Sequence, residues 1–113
     1  MSESCLFCRI VRRELPATII LENEHCVAFR DLNPQAPVHV LVVPREHVAS
    51  LDAASDATVV GEVLLMAAEV ARQEGIAATG YRTVFNTNAG AWQTVFHVHA
   101  HVLGGRHLSW PPG

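Results

Sequence analysis

Three histidines alternate with small apolar residues in Phe96-His97-Val98-His99-Ala100-His101-Val102-Leu103-Gly104-Gly105. Near neutral pH an imidazole can attack an electrophile, move a proton or bind a metal. Successive side chains of a strand alternate between its faces, so the spacing predicts one shared face for His97, His99 and His101. Val98, Ala100 and Val102 then line the opposite face, and Gly104-Gly105 closes the strand. Neighbouring imidazoles stand about 6.8 Å apart along such a backbone. Alternate residues of one strand converge poorly on a single ion, yet imidazole is a common zinc ligand. The same row suits a phosphorus centre, with one ring as nucleophile and the others handling charge and protons. Spacing alone leaves these two chemistries about even.

Other residues offer less on their own. Cys5 and Cys8 share a helix face at i, i+3. No βαβ pattern of the thioredoxin kind surrounds them, and zinc would need two further ligands. His39 interrupts an apolar run and reads, by itself, as a core histidine satisfied by a backbone group. Asp31 before Asn33-Pro34 reads as a turn former. Phe29 reads as core, and Trp110 as a pin for the chain end. His25, Cys26 and His107 read as surface or packing residues.

The elements that must position these groups follow from pattern. Cys5 to Arg13 predicts a short helix with Ser4 as N-cap, Phe7, Ile10 and Val11 as its apolar stripe, and Pro16 as its end. Thr18–Glu22 and Cys26–Arg30 read as strands joined by a polar turn. Asp31 to Pro37 is a loop, as its two prolines require. Val38–Val43 is the most apolar strand and therefore central. From Asp56 to Gln73, Val59, Val60, Val63, Leu64, Ala67, Val70 and Ala71 recur at helical spacing, and Gly75 supplies a stop. Tyr81–Asn86 is a strand, 87–93 a loop, and the histidine strand follows. Strands, one long helix, then strands again predict an α+β fold with an antiparallel sheet.

The chain has 113 residues, half of them apolar, enough for one core, and reads as a single domain over 1–113 with a tail at 106–113. The net charge is −3 and all eight cationic side chains are arginine, with no basic stripe, which argues against a duplex nucleic-acid binder. No stretch has the roughly 18 apolar residues of a membrane helix. A short acidic start unlike a secretory signal and an odd count of three cysteines point to a reducing cytoplasm.

The triad resembles the histidine-triad signature, His-φ-His-φ-His-φ-φ with φ apolar. The likeness extends over nearly the whole chain. Ala28-Phe29-Arg30-Asp31-Leu32-Asn33-Pro34-Gln35-Ala36-Pro37-Val38-His39, Val43-Pro44-Arg45-Glu46-His47, the Gly-Gly-Arg after the triad and the Trp110-Pro111-Pro112-Gly113 ending are all similar to the Hint branch. That resemblance implies a five-stranded antiparallel sheet with one long and one short helix, extended across a homodimer. It implies a hydrolase of purine nucleoside 5′-phosphoramidates or aminoacyl-adenylate-type substrates that releases AMP through an adenylyl-histidine. His99 is then the nucleophile, His101 contacts the phosphate, His39 is the fourth active-site histidine and Thr94 stands where the family has serine. Asp31, Leu32 and Phe29 match the family's ribose and base contacts, Asn86 and Gln93 its phosphate contacts, and Trp110 a tail that reaches the partner subunit's active site. AMP and GMP are the implied nucleotides, with no organic cofactor.

Bacterial relatives with the cysteine pair imply a structural zinc at Cys5, Cys8, His47 and His97. Trp92 departs from the family, which favours glycine there, and an indole is not expected to imitate a backbone that needs positive φ. Two other readings stay open: a dinucleoside polyphosphate hydrolase, disfavoured by Gly-Gly-Arg where that branch has Pro-Arg, and a zinc-stabilised nucleotide-binding protein with little turnover.

Overall fold

A computed structural model describes residues 4–113 of the chain. The reading of the first residues as unlike a secretory signal lies partly outside that range. Two helices, α1 (Leu6–Val11) and α2 (Ala57–Gln73), accompany five strands, β1 (Ile19–Glu22), β2 (Cys26–Arg30), β3 (Val38–Pro44), β4 (Tyr81–Val84) and β5 (Ala100–Gly104). The sheet order is β1-β2-β3-β5-β4 and every neighbouring pair is antiparallel, so the fold is α+β with the apolar strand β3 in the middle.

Alternation along β2 and β3 divides the sheet into two sides. Ala28, Val40 and Val42 pack under α2, together with Ala100 and Val102 of β5. Val27, Phe29, Leu41 and Val43 face the other way, against Phe7, Cys8 and Ile10 of α1. α2 lies on its side through Val63, Met66, Ala67, Val70 and Ala71, all buried. Each fully buried side chain of this size contributes about 1.5–3 kcal/mol before entropy is subtracted. Asp56 caps α2 by accepting from the Thr58 N–H at 2.9 Å. Gly75 ends it at φ +75°, and Ile76 N–H returns to the Ala71 carbonyl.

Some boundaries differ from expectation. The cap of α1 is Cys5, whose Sγ accepts from Cys8 N–H at 3.3 Å, rather than Ser4. β4 stops at Val84, leaving Asn86 in the following segment. The histidine strand begins only at Ala100. His97 and Val98 are held instead by the segment after β3: Val98 N–H donates to the Val48 carbonyl, and His97 Nε2 meets the Pro44 carbonyl at 2.8 Å. The predicted facing nevertheless holds. Ala100 and Val102 bury under α2, while His97 and His99 lie against Phe7 on the α1 side.

Candidate active site

A cleft of about 210 Å³ opens on the α1 side of the sheet. Leu6, Phe7 and Ile10 of α1 form one wall, and Phe29 and Leu41 form the floor. Asp31 and Leu32 stand at the mouth, and Thr94, His99 and His101 supply a polar end. Phe7 stands edge-on to Phe29, with centroids 5.4 Å apart, and to His99 at 5.0 Å. Such a slot, apolar along its length with an acid at the mouth and imidazoles at one end, fits a flat aromatic ligand bearing hydroxyls and an anion.

The register of β3 against β5 builds the polar end. Leu41 lies opposite His101 and His39 opposite Leu103. His39 and His101 are thus diagonal cross-strand neighbours, and their rings approach to 5.1 Å. The backbone fixes which nitrogen carries each proton. Gln35 N–H donates to His39 Nδ1 at 3.0 Å, so a neutral His39 holds its proton on Nε2. That Nε2 lies 2.9 Å from His101 Nδ1 and 3.4 Å from Asp31 Oδ2. His101 therefore accepts at Nδ1 and keeps a donor at Nε2. His99 is set the other way: its Nδ1–H donates to the His97 carbonyl at 2.8 Å, leaving the Nε2 lone pair unshared. The His99 and His101 rings are 5.0 Å apart, closer than the strand spacing because the side chains lean together.

Burial keeps these rings neutral. It pushes His99 below the ordinary imidazole range, against the smaller upward pull of the His97 carbonyl and Asp31. Burial brings His101 down to about 4, helped by the neighbouring His99 and His39. His39 is lowered for the same first reason, with Asp31 opposing.

A second cluster sits beside the cleft. Ligand atoms of Cys5, Cys8, His47 and His97 all lie within 4.8 Å of one another. His97 Nδ1 is 3.4 Å from Cys5 Sγ, 3.5 Å from Cys8 Sγ and 3.3 Å from His47 Nδ1, and His47 Nδ1 is 3.3 Å from Cys8 Sγ. A tetrahedral zinc, with Zn–N about 2.0 Å and Zn–S about 2.3 Å, requires edges of about 3.3 Å between nitrogens and about 3.5 Å between nitrogen and sulfur. The observed spacings meet that requirement. His97 spends its Nε2–H on the Pro44 carbonyl, so the nitrogen turned to the thiols is the one able to ligate. Asp31, His39 and His101 form another close group of potential ligands, but its protons are wrong for a metal. Ligation through His39 Nε2 would move the proton to Nδ1, against the Gln35 N–H.

The remaining expected residues are placed as follows. Gln93 is buried and does not line the cleft. Its amide accepts from Asn88 N–H and donates to the Ala49 and Val95 carbonyls, so it braces the loop that delivers Thr94. Asn86 also lies outside the lining. Leu32 is 96 % exposed at the mouth. Trp110 is exposed, with the Arg82 guanidinium 6.0 Å from its ring and Arg82 also holding the Ser109 carbonyl. Trp92 corrects an expectation: it takes φ +65° and ψ 34°, the left-handed conformation that glycine favours, and the residue is 82 % exposed. Sequence reasoning missed the Gln35 backbone donor, which has no side-chain signature, and the role of Leu6, Phe7 and Ile10 as a cleft wall, which their helical stripe shows only as packing.

Comparison with known proteins gives a consistent result. Residues 12–108 match the HIT domain family. An uncharacterized HIT-like protein of Synechococcus elongatus is 50% identical over 115 aligned positions, covering all of both chains. The crystal structure of a HIT family hydrolase from Legionella pneumophila Philadelphia 1 superposes with a TM-score of 0.94 at 45% identity, over 97% of this chain and 100% of that one. A Zn-bound histidine triad family protein from Mycobacterium smegmatis superposes with a TM-score of 0.81 at 32% identity, over 95% of this chain and 81% of that one.

Proposed function

This chain belongs to the HIT family, and from that premise we propose that it hydrolyses purine nucleoside 5′-phosphoramidates through a covalent His99 adenylate. The observation that carries the reading is the opposed setting of two adjacent rings: His99 presents a lone pair to the cleft while His101 presents a proton. The base fills the apolar slot against Phe29 and Phe7, with Leu32 at its edge, and Asp31 accepts the ribose hydroxyls. His99 Nε2 attacks phosphorus and the P–N bond breaks, the departing amine taking a proton through the Thr94 hydroxyl that is restored when water is deprotonated in the second step. The His97 carbonyl, which accepts the His99 Nδ1–H, stabilises the positive charge that the ring gains. His101 Nε2–H donates to a non-bridging phosphate oxygen, and His39 holds His101 in the donating tautomer. Thr94 lies at the phosphate end, where its hydroxyl serves the leaving group. Water then cleaves the phosphorus–imidazole bond. Over the cycle its oxygen goes to AMP and its proton to the amine.

The same premise supports a structural zinc at Cys5, Cys8, His47 and His97, which would lend folding energy rather than chemistry. It also supports a homodimer in which the tail around Trp110 serves the partner's cleft, since β4 is a sheet edge and Leu64 and Leu65 are exposed. No helix among the described residues is long and apolar enough to cross a membrane, and a cytoplasmic setting suits the free thiols of Cys5, Cys8 and Cys26.

Incubation with adenosine 5′-phosphoramidate, with diadenosine polyphosphate as the comparison substrate, tests the activity. AMP release from the phosphoramidate should accompany a protein mass increase of one adenylyl group after rapid quench. His99→Ala should lose both and still bind AMP. Faster turnover of the polyphosphate, or normal single-turnover release by His99→Ala, would overturn the reading.

A further inference from the structure

The metal cluster and the cleft share a wall. α1 carries both thiols, and the same six-residue helix gives Leu6, Phe7 and Ile10 to the cleft. Phe7, between the two cysteines in sequence, has its ring centroid 6.1 Å from that of His97, 5.0 Å from His99 and 5.4 Å from Phe29. A helix this short does not persist alone, since isolated helices under about 12 residues are marginal in water. Its place depends on what its buried face touches, and that face includes Cys8, which is fully buried. A second connection runs through His97. Its Nδ1 belongs to the thiol cluster, while its carbonyl accepts the Nδ1–H that orients His99. The ring is completely buried and anchored on the Pro44 carbonyl, so ring and backbone move together.

We infer that a metal held by Cys5, Cys8, His47 and His97 is a positioning element of the nucleotide site. It docks α1 as the wall facing the base, and through His97 it fixes the tautomer and direction of His99. This rests on the zinc and nucleotide readings proposed above. Metal and nucleotide binding are then linked, and linkage is reciprocal: the factor by which zinc raises nucleotide affinity is the factor by which nucleotide raises zinc affinity. His39 and His101 stand outside this connection, because the Gln35 N–H, and not His97, sets their tautomers.

The test uses the zinc-loaded protein. Zinc affinity is measured by competition with a calibrated chelator, with and without saturating AMP, and AMP binding to the zinc-loaded protein by calorimetry. AMP should raise zinc affinity about fivefold or more, the lower end of ordinary site–site coupling. Phe7→Leu should still take up one zinc per chain and lose most of that factor. Imidazole ¹⁵N spectra provide the readout that general loosening would not reproduce. Removing zinc should mix the His99 tautomers while His101 keeps its proton on Nε2. Failure to take up zinc would remove the metal reading, and absence of AMP binding to the loaded protein would remove the nucleotide reading. Binding of both with zinc affinity unchanged within twofold would refute the linkage alone. Simultaneous loss of both imidazole signatures would show that the metal holds the whole fold, which also overturns the inference.

Discussion

His39 offers a perturbation whose size follows from the hydrogen-bond chain. In the native site Gln35 N–H occupies His39 Nδ1, His39 Nε2–H occupies His101 Nδ1, and His101 is left with a donor at Nε2, which the proposed mechanism turns to the phosphate. His39→Ala removes the middle link. His101 can then satisfy its environment by moving its proton to Nδ1, which turns an acceptor toward an anion. To act, it must adopt the donating tautomer with a buried acceptor left unpaired. That costs about 1–2 kcal/mol, the low end of the penalty for an unsatisfied buried group, and therefore about 5- to 30-fold in kcat. His39→Gln places an amide N–H where the imidazole Nε2–H was, so it restores the donor without restoring a titrating ring. Both variants leave the Gln35 N–H without its ring acceptor, so that loss cancels between them.

The assay is single-turnover AMP release from adenosine 5′-phosphoramidate at pH 7.5, with thermal melts to confirm folding. His39→Gln should fall within about threefold of wild type and His39→Ala about tenfold below it, the factor that about 1.4 kcal/mol represents. Equal loss in the two variants would refute the reasoning, because it would mean that His39 acts by exchanging protons with Asp31, 3.4 Å away, and not by holding a tautomer.

The other predictions concern pH and backbone. His101, faced by Asp31, His39 and His99, has its pKa brought to about 4 by burial. Its folded value lies below the unfolded imidazole value of about 6.5, so it leaves stability unchanged above that pH and lowers it as the pH falls from there toward 4. The slope is about 1.4 kcal/mol per pH unit for this group, readable as a falling urea midpoint between pH 6.5 and 4.5, and a flat midpoint would contradict it. Turnover should hold nearly constant from pH 8 to 6, so an acid limb centred near 6.5 would show that the imidazoles are not shielded. Trp92→Gly relieves a left-handed conformation costing about 1–2 kcal/mol, less the extra freedom glycine gains when unfolded. It should raise the melting temperature by a few degrees while changing relative kcat/KM between phosphoramidates with small and aromatic amines, and a lower melting temperature would contradict the strain argument. Gly105→Ala should destabilise by about 1–3 kcal/mol in a denaturant melt, because φ is +88° and a Cβ would stand 3.0 Å from Pro37 Cβ.

Where one residue type and one period decide the outcome, the structure is legible in the sequence. The strand β3, apolar except for His39, had to be central, and the helical spacing through Val63, Val70 and Ala71 had to face a sheet. The Cys5, Cys8, His47 and His97 set was only implied by resemblance, and the structure brings it within reach of one ion. The start of the histidine strand was not legible. A period of two continues through Phe96 to Val102 whether or not a partner strand lies alongside, and pairing is a property of the neighbouring chain. Here the β3–β5 ladder stops at the Val42–Ala100 pair although β3 runs on to Pro44, and the segment around His97 takes the carbonyls of Pro44 and Val48 instead. The bracing role of Gln93 was not legible for a related reason. A loop with positive φ at Asn88 and Trp92 leaves backbone groups that some side chain must satisfy, and the Gln93 amide is the one within reach.

The early end of the ladder explains how one alternating segment can serve two sites. In a straight strand, His97, His99 and His101 would form an evenly spaced row opening on one space. Because pairing starts at Ala100, His101 is held by the sheet and directed by register to His39, whereas His97 is free of the ladder and pinned by its ring to Pro44. His99 lies between these anchors and receives its orientation from the residue two before it. The residues between the histidines keep the arrangement in place: Val98, Ala100 and Val102 are all buried, and the last two lie under α2. A rotation of the segment would expose that apolar row and submerge the imidazoles together. The packing of α2 on one face of the sheet is therefore what holds His99 in register on the other.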